Sequence, residues 1–516
     1  MSLVALLDYG ARRHPGEAAV VHGTQVFCDW AALRGRALRL GAGLRRSLGP
    51  GARVGIASKN CPEYVEILFA TWAAGLVAVP INSKLHAREM LQILDDADAA
   101  LVFSSGSVAQ SLHAATRAEG GNRRVVPIGG ADYADLLQAA AVDPAQVAPD
   151  ALAWLFYTSG TTGRSKGAML SHRNLMAMTA AHLADFESVG HGDAILHAAP
   201  MSHGSGLYIL PYVARAARQI VPQSGGFDPA EFLDLCAAHL GVGAFLAPTM
   251  LRRLRRELES SGRRATGLRG VTYGGGPMYV DELKKCLAAF GPILTQLYGQ
   301  GESPMTITGL KRDEHDVDDE ETLASVGWPR LGVEVAILGE SGGALPAGEV
   351  GEIACRGEVV TSGYWNNPQA TRAALRDGWL LTGDIGFMDA TGKLTLQGRS
   401  KDLIISGGSN IYPREVEEAL LSCPGVSEAA VVGQPDAEWG ESVVAFIVRD
   451  AARMEVGEAA LDEHCRTRIA RYKRPKRYVF VEALPKNNYG KIVKRQLAQM
   501  LGDAPGGAIR SSAGGD

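Results

Sequence analysis

Short apolar runs separated by amphipathic stretches recur from residue 53 onward, and this alternation is the strongest restriction on what the chain can fold into. The run at 53–57 reads as a strand, 63–74 as the helix that follows it, and 77–81 as the next strand. Another apolar run, 100–103, comes after a further helical pattern, and the rhythm returns around 194–199, 243–246 and 270–273. Strands joined through helices run parallel, with the helices covering the sheet faces, so the expected class is α/β with parallel-rich sheets in several layers.

The character changes near Ser325. Segments 333–338, 351–355 and 393–396 are short strands bounded by Gly, Pro and Asp, which implies a small antiparallel β subdomain over about 325–399. A new rhythm starts near Ser400, with a helix at 413–422 and strands at 428–432 and 443–448. The expected organisation is therefore a large N-terminal domain over 1–399, a small mobile α+β domain over 400–502, and a disordered Gly-rich tail over 503–516. The acidic stretch 313–321 reads as a solvated loop.

Composition narrows the functional classes. The 516 residues carry a formal net charge of -4, which makes no electrostatic case for nucleic acid or an anionic membrane as partner. No stretch approaches the roughly 18 uninterrupted apolar residues of a membrane span. The first residues read as an amphipathic helix rather than a signal peptide, so a cytoplasmic location is expected. The seven cysteines are scattered and never spaced as Cys-x-x-Cys, which suits reduced, buried thiols and argues against a disulfide framework or zinc site.

The strongest local signal is Tyr157-Thr158-Ser159-Gly160-Thr161-Thr162-Gly163-Arg164-Ser165-Lys166-Gly167, read as a loop between a strand and a helix. Its glycines let backbone amides approach phosphate oxygens, its hydroxyls add donors and a magnesium ligand, and Arg164 and Lys166 add positive charge. It is a triphosphate loop by chemistry, but not the Gly-x-x-x-x-Gly-Lys-[Ser/Thr] pattern. The segment closely resembles the phosphate-binding signature of the acyl-adenylate-forming superfamily, which includes acyl-CoA synthetases, adenylation domains and luciferases. The resemblance extends in order from about residue 10 to 498.

Further motifs agree with it. Pro200-Met201-Ser202-His203-Gly204-Ser205-Gly206 resembles the segment that carries an aromatic gate at the acyl pocket, here His203. Gly274-Gly275-Gly276-Pro277 resembles the loop beside the adenine. Tyr298-Gly299-Gln300-Gly301-Glu302 resembles Tyr-Gly-x-Thr-Glu, in which the Tyr packs on adenine, the Thr contacts the α-phosphate and the Glu supports magnesium. Gly301 stands where Thr is usual, and Ser303 is the neighbouring hydroxyl that could replace it. The resemblance implies that Asp384 and Arg399 hold the ribose and that Lys401 is the pivot between the domains. It also implies that Gly407-Gly408 line the pantetheine tunnel and that Lys491, at the end of Pro485-Lys486-Asn487-Asn488-Tyr489-Gly490-Lys491, is the adenylation lysine.

These roles imply ATP, magnesium and coenzyme A as the small-molecule set, with Thr161 and Glu302 as metal ligands. The chemistry implied is attack of a carboxylate on the α-phosphorus of ATP, followed by transfer of the acyl group to a thiol. By resemblance the acid pocket is drawn from His203, Gly204, Ser205, Gly206, Thr249, Gly274, Pro304 and Met305, which suits a fatty, alicyclic or aromatic acid. Arg252, Arg253, Arg255 and Arg256 read as a solvated helix face, in preference to a site at Arg253 for a second carboxylate. Loading of a carrier protein's phosphopantetheine arm is the alternative acceptor, a luciferase-like oxygenase or non-catalytic nucleotide binder is a more distant alternative, and a homodimer is the default assembly.

Overall fold

The computed structural model describes residues 2–121, 123–158, 165–407, 409–450, 456–487 and 490–502. The expected disordered tail at 503–516 lies outside the described residues.

Two parallel-rich sheets dominate the N-terminal part. One has six strands in the order Arg124–Pro127, Ala99–Ser104, Arg53–Ser58, Val77–Asn82, Leu152–Thr158 and Lys166–Ser171. All neighbours are parallel except the last pair, in which Thr158 lies opposite Lys166. The other sheet has nine strands, with Ala194–Leu196, Val242–Leu246, Leu268–Tyr273 and Leu294–Tyr298 side by side and parallel. Ala194–Leu196 and Val242–Leu246 are near-continuous apolar runs, as strands covered on both faces require. Trp30, Trp72 and Trp154 are fully buried in the main core, and the Trp72 indole N–H is satisfied by the Ala153 carbonyl at 2.9 Å.

The helix boundaries follow local chemistry. Asp29 caps Trp30–Arg45 through the Ala32 amide, and Ser171 with Asn174 forms a capping box on His172–Ala181. Pro248 opens Pro248–Ser261, and Gly262 closes it in the left-handed region at φ 67°.

Three expectations need correction. The phosphate loop joins two antiparallel strands and not a strand to a helix, because 166–171 alternates as a strand before Ser171 starts the helix. The acidic stretch is partly helical, with a short turn at Arg312–Glu314 and a helix from Glu320 that Asp319 caps. Finally, Trp328–Pro329 pairs antiparallel within the nine-stranded sheet, and the separate antiparallel sheet starts at Val333.

From Val333 to Arg399 the strands form a five-stranded antiparallel sheet. Beyond the turn Ser400–Asp402, a separate sheet is built from Ile404–Ser406, Ser409–Ile411, Val426–Asp436, Gly440–Arg449 and Arg477–Phe480, with its own apolar clusters on each face. No described helix is long and apolar enough to cross a membrane.

This C-terminal unit docks through a few polar contacts. Arg252 donates to Glu428 at 2.9 Å, and Lys486 holds the other oxygen of Glu428 at 2.7 Å. The Tyr279 hydroxyl donates to Glu417 at 2.8 Å, and the Val280 amide donates to Glu418 at 2.8 Å. Arg414 reaches the Ala324 carbonyl at 3.2 Å. Each such contact contributes only about 1 kcal/mol net. Removing two of them with Arg252→Ala and Tyr279→Phe should therefore raise the undocked fraction, and with it trypsin cleavage at Lys401, roughly thirtyfold. An unchanged cleavage rate would show that these contacts do not hold the unit in place.

Candidate active site

The parallel strands of the nine-stranded sheet end at Leu196, Leu246, Tyr273 and Tyr298. The segments that follow them are 200–207, 247–249, 274–277 and 299–305, so four separate motifs meet along one edge, where open α/β sheets bind ligands. An open cleft of about 1940 Å³ runs from this edge to the C-terminal unit. Thr158, Lys166, Thr249, Gly275, Gly276, Pro277, Tyr298, Gly299, Glu302, Asp384, Arg399, Lys401 and Lys491 all line it.

Asp384 organises the middle of the cleft. It is 7 % exposed, and both carboxylate oxygens are engaged. Oδ2 accepts from the Tyr298 hydroxyl at 2.7 Å and from Gln300 Nε2 at 2.6 Å, while Oδ1 faces Arg399 Nε at 2.9 Å. Burial, then the charge of Asp384, pushes the Tyr298 phenol well above its usual pKa, so it stays a donor. Gln300 also ties down the Thr382 carbonyl at 3.0 Å.

Glu302 stands on the phosphate side. Its Oε1 accepts from the Thr158 hydroxyl at 3.2 Å and from the Tyr364 hydroxyl at 2.8 Å. Lys166 Nζ lies 5.3 Å from the centre of the Tyr364 ring. Among the described residues both hydroxyls reach the same oxygen. A buried carboxylate with its second oxygen turned to no described hydroxyl fits a hard divalent cation. Ser159, Gly160, Thr161, Thr162 and Gly163 of the loop lie outside the described residues.

The acid-side residues divide into two sets. Thr249, Gly275 and Gly276 are on the cleft wall, whereas His203, Gly204, Ser205, Gly206, Gly274, Pro304 and Met305 are not. Ser205 is fully buried, and its hydroxyl bonds His197 Nδ1 at 2.8 Å, so it is turned into the core. The His203 ring packs edge-on against Phe156 at 5.3 Å, and burial lowers its pKa to about 4, which keeps it neutral. Gly206 is required where it stands, because a Cβ there would meet the Met201 carbonyl oxygen. Met305 adopts φ 62°, a strained conformation for a side chain of this size, in the turn that brings Gly299 against its amide.

Lys491 enters the cleft from the C-terminal unit. The turn that carries it is closed by the Gly490 amide on the Asn487 carbonyl at 2.9 Å, and by the Lys491 amide on Asn487 Oδ1 at 3.0 Å. A Cβ on Gly490 would lie 3.0 Å from Thr249 Oγ1, so the turn is pressed against the large domain. Lys491 lines the open cleft. The protein mass around it, then Arg399, pulls its pKa below the usual lysine value, while Asp384 and Asp402 oppose this. Gly407 is off the cleft, its amide on the Trp439 carbonyl at 2.8 Å, and Gly408 lies outside the described residues.

Sequence reading missed Gln300 and Tyr364. Gln300 was visible only as the variable position of its motif, and nothing marked Tyr364. The arginine helix is only partly a solvated face. Arg255 is buried and paired with Glu282 and Glu259, and Arg252 crosses to Glu428, whereas Arg253 is exposed over Phe227 and off the cleft.

Gly301 has a steric reason. A Cβ there would lie 2.6 Å from Phe156 Cδ1 and 2.6 Å from Thr158 Cγ2. Ser303 is no substitute for the absent hydroxyl, because it is fully buried and off the cleft. Gly301→Thr should therefore cut ATP–pyrophosphate exchange at least tenfold, through displacement of Thr158 and Phe156. Adding Phe156→Val should recover most of that loss. Failure of the second change to help would remove the ring as the cause.

Comparison with known proteins agrees with this geometry. The AMP-binding enzyme family matches residues 7–365, and the AMP-binding enzyme C-terminal domain matches residues 415–491. The feruloyl-CoA synthase of Amycolatopsis sp is 36% identical over 498 residues, covering 95% of this chain and 97% of that protein. The long-chain-fatty-acid–CoA ligase FadD13 of Mycobacterium tuberculosis is 34% identical over 491 residues, covering 94% and 95%. ATP-bound MatB from Rhodopseudomonas palustris superposes with a TM-score of 0.87 at 31% identity, covering 98% of this chain and 99% of that one. The chain therefore belongs to the AMP-binding enzyme family and is an AMP-forming ligase of the acyl-CoA synthetase type.

Proposed function

We propose that this chain joins a hydrophobic carboxylic acid to coenzyme A at the expense of ATP, through an acyl-adenylate, with release of AMP and pyrophosphate. The observation that carries this reading is the position of Lys491 in one cleft with Asp384, Arg399, Tyr298 and Glu302. These groups come from the edge of the nine-stranded sheet, from two strands of the antiparallel sheet and from the C-terminal unit, and a shared ligand with phosphate, ribose and carboxylate parts accounts for their meeting.

In the first half-reaction the acid's carboxylate oxygen attacks the α-phosphorus, and the bond to the pyrophosphate oxygen breaks. No side chain is needed as a covalent nucleophile. Negative charge gathers on phosphate oxygens in the transition state, so fixed cations and donors accelerate the step. Lys491 stabilises that charge from the C-terminal side, while Thr158, Lys166 and the loop that follows Thr158 hold the phosphates from the other. Tyr298 packs on the adenine beside Gly274, Gly275, Gly276 and Pro277, and Asp384 with Arg399 fixes the ribose. Magnesium, when bound, would be held by Glu302 and Thr161 and would supply a hard cation that draws charge from the phosphate oxygens.

In the second half-reaction a thiol attacks the acyl carbon and AMP leaves. The cleft face must change, because Lys491 occupies it while Gly407 is off it. Rotation at Lys401, in the turn Ser400–Asp402, exchanges the two. The exposed position of Arg253 over Phe227 gives no support for a second carboxylate on the acid.

The direct test is incubation with ATP, magnesium and a panel of acids, with and without CoA, following AMP and acyl-CoA by mass. A CoA-dependent thioester is expected. Pyrophosphate exchange with no CoA product would move the acceptor to a carrier-protein phosphopantetheine. Lys491→Ala should lower adenylate formation at least a hundredfold and leave thioester formation from supplied acyl-adenylate nearly intact, and equal loss of both halves would remove the assigned role. Because the pKa of Lys491 is lowered, its proton is lost as pH rises before that of a free lysine near 10.5. Adenylation should therefore decline on the alkaline side below that pH, and Lys491→Arg should move the decline upward.

A further inference from the structure

The donors around Asp384 leave it little capacity for a ligand. A carboxylate offers about four acceptor positions, two on each oxygen. The Tyr298 hydroxyl at 2.7 Å and Gln300 Nε2 at 2.6 Å take both positions of Oδ2, and Arg399 Nε at 2.9 Å takes one of Oδ1. That leaves about one position, on Oδ1, for a ligand that brings two adjacent hydroxyls.

The three donors are not equally replaceable. Tyr298 is 7 % exposed at the end of its strand, so its hydroxyl, once displaced, would be left buried without this partner. Arg399 carries a charge, and its bond to the carboxylate is charge-assisted on both sides. Gln300 is neutral and half-buried, and it lines the cleft beside Asp384. Its Nε2 also donates to the Thr382 carbonyl at 3.0 Å. The side-chain amide can therefore leave Asp384 and keep one of its two bonds. Its backbone need not move, because the Gln300 N–H is fixed to the Ser303 carbonyl at 3.1 Å in the turn after Tyr298.

We propose that Gln300 gates the ribose subsite: its side-chain amide holds the Asp384 position that one ribose hydroxyl takes, and the nucleotide binds by displacing it. This rests on the assignment of Asp384 to the ribose in the ligase reading above. The displaced bond is exchanged for a similar one, so the second hydroxyl adds little net affinity. The nucleotide is then held more loosely than the same carboxylate would hold it without Gln300. That loss of affinity favours release of AMP, the product that leaves from this carboxylate.

The test is calorimetric titration of AMP, 2′-deoxy-AMP and 3′-deoxy-AMP into the full chain and into Gln300→Met, Gln300→Leu and Asp384→Asn, with thermal unfolding to confirm that each variant is folded. Met matches the length of Gln300 and Leu most of its volume, and neither side chain donates a hydrogen bond. Both variants should bind AMP about fivefold more tightly than the wild type, the size of one net hydrogen bond. The larger of the two penalties for a missing hydroxyl should also rise about fivefold, because in the wild type Gln300 keeps the position that the missing hydroxyl would take. A residue that merely held Asp384 in place would give the opposite sign, and weaker AMP binding in both variants overturns the proposal. An unchanged AMP affinity or an unchanged penalty in both variants overturns it too. Asp384→Asn separates the gate from the reading beneath it. If that variant binds AMP as well as the wild type, the ribose assignment falls and the gate with it. If it loses affinity while Gln300→Met and Gln300→Leu gain none, the gate alone falls.

Discussion

The carboxylate of Asp384 is the constraint around which the site is arranged. A charge this enclosed is tolerated only if its lone pairs are met, and they are met from two segments that are far apart in sequence. Tyr298 and Gln300 reach it from the edge of the nine-stranded sheet, and Arg399 reaches it from the strand that leads into the inter-domain turn. The same charge extends to Lys491 and partly offsets the loss of hydration and the repulsion from Arg399. Satisfying one buried anion therefore aligns two sheets and the C-terminal unit, and leaves them with a cleft whose groups are placed for a nucleotide.

Close packing sets the second level of organisation. Gly204, Gly206, Gly299 and Gly301 are places where another residue's ring or backbone already fills the volume of a side chain. At Gly301 this resolves a departure from the family pattern. A side chain there is excluded by Phe156 and Thr158, which share one strand, and the Thr158 hydroxyl donates to Glu302. The strained Met305 fits the same account, since its φ of 62° is the geometry that lets the turn after Tyr298 close on Gly299.

Much of this was legible from the sequence, for physical reasons. The alternation at 53–103 reported parallel strands because both faces of a covered sheet need apolar side chains, and the short strands after Val333 announced themselves by their turn residues. The motif residues Thr158, Tyr298, Glu302, Asp384 and Lys491 were legible as polar groups in unusual local contexts, and they line one cleft. The rest depended on pairs that no local pattern records. The hairpin after Thr158 was hidden because its second strand is short and runs straight into a capped helix. Tyr364 reaches Glu302 across 62 residues, and Phe245 reaches Gly204 across two helices and a strand. Ser205 was assigned to the pocket by its neighbours, yet a buried histidine 8 residues earlier claims its hydroxyl.

The weakness of the docking contacts is consistent with the chemistry. One cleft must serve an attack on phosphorus and then an attack on carbon, and the groups suited to the first occupy the space that the thiol needs for the second. A large apolar interface would trap the C-terminal unit in one position, since burying more apolar area costs more to undo. The contacts here are instead a handful of polar pairs around Arg252, Tyr279 and Arg414, each near 1 kcal/mol net and each able to exchange its partner for water. Meanwhile the C-terminal unit keeps its own apolar clusters on both faces of its sheet, so it can leave the cleft without unfolding. Hydrogen bonds and charge are thus concentrated around Asp384, and on the proposed mechanism the freedom to move lies in the turn at Lys401 and in contacts that solvent can replace.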